Sequence, residues 1–272
     1  MVDGRTRVCV AGATGWTGRP VAGAVLDADD LDLVGAVARS GAGRDLGEVW
    51  GGDANGVAVQ GTVADALDGV DVLVDYTSHA AVGDHVRTAL QRGVAVVVGS
   101  SGLSAAEYAE IDALARERAV GVVAAGNFSL TAAMAQAAAV LVARHLPQWE
   151  IIDYAAAGKP DAPSGTSREL AERLAGVQEP HVELPVEQVA GAPQARGVTV
   201  AGTQVHSVRL PSFVVSTEVV FGLPDERLSI RHDAGGSPAP YVGGTLLAVR
   251  AVRRITGLVR GLDTLLLGGS PS

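Results

Sequence analysis

The stretch VCVAGATGWTGRP, residues 8–20, decides the fold of this chain. An apolar run typical of a buried strand leads into Gly12, Gly15 and Gly18, and a helix-like segment follows directly. Glycines at such a turn permit a tight bend and a close backbone approach, while the start of the helix offers N–H groups to a pyrophosphate. The stretch therefore predicts a dinucleotide-binding loop, with a merely structural turn as the alternative.

The rest of the chain shows two patterns. Apolar runs at 31–38, 70–77, 94–100 and 120–125 alternate with helix-like segments, which predicts a parallel sheet covered on both faces. After Asn127 a long apolar helix, a short strand and alternating apolar and polar runs up to Ala234 predict a second, antiparallel sheet with one covered face. A helical stretch at 241–256 is predicted to close the chain.

Composition and charge argue against several classes of protein. The formal net charge of −9 disfavours nonspecific nucleic-acid binding, which uses clustered Lys and Arg. A single cysteine, Cys9, allows no internal disulfide and fits the cytosol. No apolar run approaches the roughly 20 residues of a membrane span, and the histidines show no metal-ligand spacing. We therefore expect a cytoplasmic protein with no metal, no membrane partner and no nucleic-acid partner.

The end of the second apolar run bears on the choice of cofactor. NAD-binding proteins commonly carry an acidic residue there to hold the ribose hydroxyls, but here the run ends in Ala38, Arg39 and Ser40. Arg39 suits a phosphate, because a hydrogen bond between charged groups contributes about 1.5–3 kcal/mol. The sequence therefore favours NADPH, with NADH as the alternative cofactor and a solvated surface arginine as the alternative role for Arg39.

A second anion site is predicted within YAAAGKPDAPSGTS, residues 154–167. A lone lysine, Lys159, stands shortly before a Ser-Gly-Thr turn that opens a helix-like segment. An ammonium and the N–H and hydroxyl donors of a helix start can converge on one anion. The residues predicted to bind a substrate carboxylate are Lys159, Ser164, Gly165 and Thr166. A capped helix with a solvated lysine is the alternative.

The order of short motifs along the chain resembles that of the dihydrodipicolinate reductase family. The glycine loop is followed by DYTS at 75–78, VGSSG at 98–102, AAGNFSL at 124–130 and KPDAPSGT at 159–166. The resemblance implies an α/β fold, with a Rossmann-like parallel-sheet dinucleotide-binding domain and a second α+β domain built on a mixed or antiparallel sheet. The first domain would comprise residues 1–126 and 240–272. Residues 127–239 would form a substrate-binding and oligomerisation domain of a homotetramer.

The resemblance also implies which residues bind the cofactor. Those expected at the pyrophosphate and the NADP phosphate are Gly12, Thr14, Gly15, Trp16, Thr17, Gly18 and Arg39. Those expected near the nicotinamide are Tyr76, Thr77, Gly99, Ser100, Ser101, Gly102, Asn127 and Phe128.

The substrate half of the chain departs from the family pattern. The family carries a His-His pair where this chain has Ala155 and Ala156, and an acid-histidine pair where it has Ser216 and Thr217. A serine-arginine pair expected near Ser237 is also replaced. A smaller, more apolar site is expected to disfavour a second unpaired carboxylate. We therefore expect a substrate other than the usual lysine-pathway compound.

Together these features predict an NADPH-dependent reductase acting on the C=N or conjugated C=C bond of a cyclic imine or enamine carboxylic acid. Hydride delivery is the cofactor's chemistry, so the protein must hold the acceptor and supply a proton. Lys159 is the first candidate for this catalytic role, Tyr154 the second and water the third; His206 and His232 are weaker candidates. The alternatives are the family's own lysine-pathway activity and a non-catalytic protein that binds nucleotide.

Overall fold

The computed structural model describes residues 4–267 of the 272-residue chain. Up to residue 130, strands alternate with helices, as the apolar runs predict. The elements there are β1 (Thr6–Ala11), α1 (Gly18–Leu26), β2 (Leu31–Val37), α2 (Leu46–Val49), β3 (Val59–Gln60), α3 (Val63–Ala66), β4 (Val72–Asp75), α4 (Val82–Gln91), β5 (Ala95–Val98), α5 (Ala105–Glu117) and β6 (Gly121–Ala124). The predicted strands β1, β2, β4, β5 and β6 are confirmed. The elements β3, α2 and α3 are too short to give a periodic pattern.

The rest of the described chain contains two long helices and a group of consecutive strands. The elements are α6 (Leu130–Ala143), β7 (Trp149–Ala155), α7 (Gly165–Ala175), β8 (Val198–Val200), β9 (Thr203–Arg209), β10 (Val215–Leu223), β11 (Glu226–Asp233), α8 (Ala239–Val252), β12 (Gly257–Arg260) and α9 (Leu262–Leu266). Two short 3₁₀ helices, Val186–Gln188 and Pro193–Arg196, lie between α7 and β8. The helix predicted at 241–256 is present as α8, which ends at Val252, but it does not close the chain, because β12 and α9 follow it. In β12 only Leu258 and Val259 form an apolar pair, between a glycine and an arginine, which is too little pattern to be recognised as a strand.

The described helices do not include one that combines the length and the apolar character needed to cross a membrane. The longest of those listed above, α6 and α8, have 14 residues each. A membrane-spanning helix needs about 20 residues.

Seven strands of the described chain form a parallel sheet in the order β12-β6-β5-β4-β1-β2-β3. All residues of β4 and β5 are buried, as is usual for strands covered by helices on both faces. The first strand lies between β2 and β4, so the strand order reverses there. In open sheets of this kind, ligands bind outside the carboxyl ends of the strands at the point of reversal. The sheet confirms the predicted Rossmann-like fold class.

The other sheet, formed by five strands of the described chain, has the order β11-β10-β7-β9-β8. Its central strand β7 pairs antiparallel with β10 and parallel with β9, so the sheet is mixed, as the family resemblance allowed, and not antiparallel throughout, as the alternating pattern predicted. Burial alternates residue by residue along β7. One face of the sheet is covered by α6 and α7 through a core that includes Ala139, Trp149, Ile151, Leu170, Leu174, Val219 and Phe221. Apolar residues spaced two apart in the strands therefore fix which face of this sheet is buried.

The chain divides into two compact units. The first unit runs up to Leu130 and resumes at Pro238, and the second is Thr131–Ser237. The first unit contains the parallel sheet and the second contains the mixed sheet. The predicted first domain also included residues 1–3 and 268–272, which lie outside the described residues. The assignment of cofactor binding to one domain and substrate binding to the other stays a prediction.

Candidate active site

The glycine loop between β1 and α1 requires glycine for steric reasons at two positions. Gly12 has a φ of +83°, and a Cβ atom there would lie 2.2 Å from the carbonyl oxygen of Tyr76. A Cβ atom on Gly18 would lie 2.1 Å from the carbonyl oxygen of Gly12. Both positions therefore exclude a side chain, because the neighbouring atoms belong to the backbone. The close approach leaves the loop as a cradle of backbone groups at the start of α1, which suits a pyrophosphate.

A cavity of about 350 Å³ opens at the carboxyl ends of β1, β4 and β5. Its lining consists of residues predicted to bind the cofactor: Gly15, Trp16, Thr17, Tyr76, Thr77, Gly99, Ser100 and Ser101. The Trp16 ring is about half exposed and meets the ring of Tyr241 edge-on at 5.9 Å. Small residues, backbone groups and an exposed aromatic ring fit a dinucleotide that lies across the ends of the strands.

Other predicted cofactor residues lie in the first unit but do not line this cavity. Arg39 is exposed, two residues beyond β2, and Thr14 is half-buried within the glycine loop. The Phe128 ring is buried and meets Tyr76 edge-on at 6.2 Å. The side chain of Asn127 accepts a hydrogen bond from the backbone N–H of Ser129 at 2.8 Å. Their contact with a cofactor stays a prediction.

Gly102 has a φ of +116°, and a Cβ atom there would lie 2.2 Å from Cβ of His79. Gly102 therefore lets the loop after β5 pack against the loop after β4. The Tyr76 hydroxyl shares a hydrogen bond of 2.7 Å with Thr245, and burial raises the pKa of Tyr76. These contacts fix the walls around the cavity.

In the second unit, a buried acid organises the start of α7. Asp153 is fully buried on β7, on the same face as Trp149 and Ile151. Its carboxylate accepts hydrogen bonds from the backbone N–H of Ser164 at 2.9 Å and from the Ser164 hydroxyl at 2.5 Å. The Arg209 guanidinium donates to the same carboxylate at 2.7 Å. Burial alone would raise the pKa of Asp153, but the hydrogen bonds from Ser164 and Arg209 outweigh burial and hold that pKa below its ordinary value.

The predicted carboxylate-binding residues lie on the segment that Asp153 and Arg209 hold. Lys159 forms an ion pair with Asp161 at 2.6 Å between Nζ and Oδ1, and Arg209 donates to the carbonyl oxygen of Asp161 at 2.7 Å. Gly165 is the first residue of α7, and Thr166 is buried in its first turn. Ser164 is buried, so its hydroxyl positions the helix start through Asp153. The structure thus brings Ser164, Gly165 and Thr166 together at one helix start, with Lys159 on the loop that leads into it.

Tyr154 lies on the other face of the mixed sheet. Neighbouring residues of a strand point to opposite faces, so Tyr154 points away from the face of Asp153 and Ser164. Its hydroxyl donates to Glu218 at 3.0 Å, and the Arg231 guanidinium lies 4.7 Å from the centre of its ring. Burial and the hydrogen bond to Glu218 raise the pKa of Tyr154. The structure does not bring Tyr154 together with the start of α7, and its catalytic role stays a prediction.

The positions at which the resemblance leads us to expect histidines have small side chains here. Ala155 is fully buried and Ala156 is half-buried. Thr217 is buried, and its hydroxyl lies 3.3 Å from that of Ser167 on α7. These positions therefore offer hydroxyl and methyl groups where the resemblance leads us to expect imidazoles.

Of the two weaker histidine candidates, His232 lies near the start of α7 and His206 does not. His232 lines a cavity of about 20 Å³ together with Thr166 and Thr217, and burial lowers its pKa against the opposing charge of Asp233. His206 contacts Glu150 at 2.6 Å, on the same face of the sheet as Tyr154. Within residues 4–267, no three His, Cys, Asp or Glu side chains are grouped so that they could hold a metal ion.

The buried groups that support these loops were not among the residues predicted from the sequence. Asp153 had a readable signal, because the spacing from Trp149 and Ile151 puts an acid on the buried face of the strand. Asp75, at the end of an apolar run, had a similar signal. Arg209 had none, since it pairs with Asp153 across 56 positions of sequence. Residues that depend on pairing between distant strands are not visible in a local pattern.

Comparison with known proteins covers both units. The family model for the N-terminus of dihydrodipicolinate reductase matches residues 6–128, and the model for its C-terminus matches residues 126–266. The 4-hydroxy-tetrahydrodipicolinate reductase of Moorella thermoacetica is 41% identical over 264 residues, which cover 96% of this chain and 97% of that protein. The corresponding protein of Synechococcus elongatus is 38% identical, with 95% and 98% covered.

Comparison with solved structures indicates the same family. The dipicolinate-bound dihydrodipicolinate reductase from Paenisporosarcina sp. TG-14 is 28% identical and superposes with a TM-score of 0.75, covering 96% of this chain and 99% of that one. An amine dehydrogenase from Mycobacterium smegmatis has a TM-score of 0.64 at 19% identity, which reflects a shared fold.

The parallel sheet, the glycine loop and the cavity beside it define an oxidoreductase with a Rossmann-like domain for a nicotinamide dinucleotide. Within that class, the chain belongs to the dihydrodipicolinate reductase family. The family implies NADH or NADPH as the cofactor, and the backbone cradle at Gly12 and Gly18 fits either one.

The glycine cradle generates a prediction. Gly18→Ala should destabilise the fold by about 1–3 kcal/mol, because the added methyl collides with the backbone of Gly12. It should also weaken NADPH binding by about tenfold or more. Gly23→Ala, in the same helix but with open space around the added methyl, is the matched control and should leave both unchanged or raise stability slightly. Urea unfolding and fluorescence titration measure the two effects, and equal behaviour of the two variants would contradict the cradle.

Proposed function

We propose that this chain uses NADPH to reduce the substrate of its named relatives, 4-hydroxy-tetrahydrodipicolinate. The observation that carries this proposal is the identity of 37–41% to proteins of that name over nearly the full length of both partners. The lysine-to-threonine loop KPDAPSGT, held in position by Asp153, supports it. This function differs from the sequence-based expectation of another substrate, because the comparisons favour the family's own activity.

The first unit would bind the cofactor. The backbone groups of the glycine loop would hold the pyrophosphate, and Arg39 would pair with the 2′-phosphate of the adenosine. When bound, the reduced nicotinamide supplies a hydride to the substrate. The absence of an acid after β2 favours NADPH, since no carboxylate there would repel the phosphate.

The second unit would bind the substrate. A carboxylate would be held at the start of α7, where the first N–H groups of a helix have no intrahelical acceptor and the helix dipole favours an anion. Lys159 would pair with the same anion or supply the proton that accompanies the hydride. Tyr154 is the less favoured proton donor, because its hydroxyl already donates to Glu218 on the other face of the sheet.

A second candidate substrate is a cyclic imine or enamine that carries a single carboxylate. The specific observation in its favour is the pair Ala155 and Ala156, which gives a second carboxylate no imidazole to pair with. A charge buried without a partner is costly, whereas an apolar substituent would be tolerated. This candidate keeps the cofactor, the fold and the role of Lys159, and changes only the preferred acceptor.

Cofactor preference tests the role of Arg39. We expect NADPH to bind more tightly than NADH, and Arg39→Ala to weaken NADPH about tenfold to a hundredfold while leaving NADH unchanged, since only NADPH carries the phosphate. Arg44→Ala, an exposed arginine in the same loop, is the control and should change neither affinity. Equal affinities for the two cofactors that persist in Arg39→Ala would contradict the assignment. Fluorescence titration of the nicotinamide measures both.

Substrate preference separates the two candidates. Steady-state kcat/KM should be higher for freshly prepared 4-hydroxy-tetrahydrodipicolinate than for cyclic imines with one carboxylate. Thr166→Val should raise KM roughly threefold to tenfold, because one hydroxyl donor at the carboxylate is lost. Turnover confined to the monocarboxylates would replace the first candidate by the second. A protein that binds NADPH but turns over neither group would be non-catalytic.

Lys159 permits a direct chemical test, because it is the only lysine in the chain. Acetylation with an active ester should modify Lys159, and mass spectrometry should locate it. Dipicolinate, the compound bound in the Paenisporosarcina relative, should slow this acetylation if it pairs with the ammonium. Lys159→Arg, which keeps the charge, should retain more activity than Lys159→Met. An acetylation rate that dipicolinate leaves unchanged would argue against Lys159 at the substrate.

We also propose that copies of the chain assemble into a homotetramer through the second unit. Val182 and Leu184 of this unit are 38% and 48% exposed, and both line a cavity of about 730 Å³. Exposed apolar clusters of this kind are typical of surfaces between subunits. Native mass spectrometry should detect tetramers, and Leu184→Glu should dissociate them. A monomeric wild-type protein would contradict the assembly.

A further inference from the structure

A second buried carboxylate, in the first unit, joins three segments of chain. Asp75 is the last residue of β4 and is fully buried. Its Oδ1 atom accepts hydrogen bonds from the Ser100 hydroxyl at 2.6 Å, from the Thr77 hydroxyl at 2.8 Å and from the Thr77 backbone N–H at 3.1 Å. Its Oδ2 atom lies 2.7 Å from Nδ1 of His85. Asp75 therefore ties the loop after β4 and the loop after β5 to the first half of α4.

Two of the tied residues line the candidate cofactor cavity. Thr77 and Ser100 both border the 350 Å³ cavity, and they also bond each other, with the Thr77 N–H donating to the Ser100 hydroxyl at 2.7 Å. Asp75 and His85 do not line the cavity themselves. Their contacts reach the cavity through Thr77 and Ser100, which do line it.

The position of these loops in the sheet indicates which half of a dinucleotide they serve. Arg39 follows β2 on one side of β1, whereas Thr77 and Ser100 follow β4 and β5 on the other side. A dinucleotide with its pyrophosphate at the loop after β1 extends in both directions across the strand ends. With the adenosine phosphate toward Arg39, the nicotinamide half lies toward Thr77 and Ser100.

The hydrogen bonds of Asp75 with His85 and with the loops give this network a fixed geometry. A buried carboxylate must be surrounded by hydrogen-bond donors. Each group that donates to it is therefore held in one position. The imidazole of His85 is 22% exposed and contacts Oδ2, whereas the loop residues Thr77 and Ser100 contact Oδ1. Cys9, the other titratable group that interacts electrostatically with Asp75, does not help to hold Thr77 and Ser100. Burial and the charge of Asp75 raise the pKa of Cys9 to about 12, so it stays a neutral thiol.

We propose that Asp75 and His85 are positioning residues that hold Thr77 and Ser100 in the geometry required by the nicotinamide half of the cofactor. This inference rests on the proposed binding of NADPH. It assigns the pair no contact with substrate or with the reacting atoms.

The test compares NADPH with adenosine 2′,5′-bisphosphate, a fragment that lacks the nicotinamide half. His85→Leu should weaken NADPH binding by about tenfold or more and lower the nicotinamide fluorescence at saturation, while the fragment binds as it does to the wild type. His85→Asn places an amide N–H close to the position of Nδ1 and should restore most of the affinity. His145→Leu, an exposed histidine of the second unit, is the matched control and should change nothing.

Ser100→Ala removes one donor to Asp75 without leaving His85 or the charge unpaired, and should give a smaller effect with the same selectivity. It keeps the inference testable if His85→Leu fails to fold. Unchanged NADPH affinity in folded His85→Leu and Ser100→Ala would overturn the inference, as would equal losses for NADPH and the fragment. A folded wild-type protein that binds the fragment tightly but not NADPH would also overturn it. A wild-type protein that binds neither would instead refute the proposed function.

Discussion

A carboxylate enclosed by protein must be surrounded by hydrogen-bond donors or by positive charge, because an unpaired buried charge costs several kcal/mol. Asp153 meets this requirement with donors from three places: the start of α7, the hydroxyl of Ser207 and the guanidinium of Arg209. Each donor is thereby fixed relative to β7. The path of the chain from Lys159 into α7 follows from this one constraint, because Arg209 also holds the carbonyl of Asp161.

The first unit also contains a buried carboxylate that accepts hydrogen bonds from the neighbouring loops. Asp75 ends a buried strand, as Asp153 nearly does, and collects donors from the loops that follow. The loops themselves consist largely of Gly, Ser and Thr, whose small side chains leave space for a ligand. The proposed anion sites would arise in this way in a chain whose formal net charge is −9. The donors that would face a ligand lie at helix starts and at Arg39 and Lys159. The buried acids Asp75 and Asp153 hold backbone and hydroxyl groups of the loops.

The sequence was sufficient to predict features that depend on local pattern. Gly12 and Gly18 were identified because an apolar strand, a turn and a helix follow one another without interruption. The strand β12 was missed because its only apolar pair, Leu258 and Val259, is flanked by Gly257 and Arg260, whereas β4, β5 and β6 are buried throughout. The parallel pairing of β7 with β9 was also invisible, since alternation fixes which face is buried but not the direction of the partner strand. Ser164 was predicted as part of the helix start, but Asp153, which accepts the hydrogen bond of its hydroxyl, lies on β7.

Buried aspartates hold the loops on which binding would depend, and amide hydrogen exchange tests this role without any ligand. The Ser164 amide donates to Asp153, so its exchange rate reports that hydrogen bond. In Asp153→Asn the loss of the charge should speed exchange at Ser164 about tenfold or more, while the amides of β7 stay protected. Unchanged protection at Ser164 in a folded Asp153→Asn protein would show that the loop is held by other contacts.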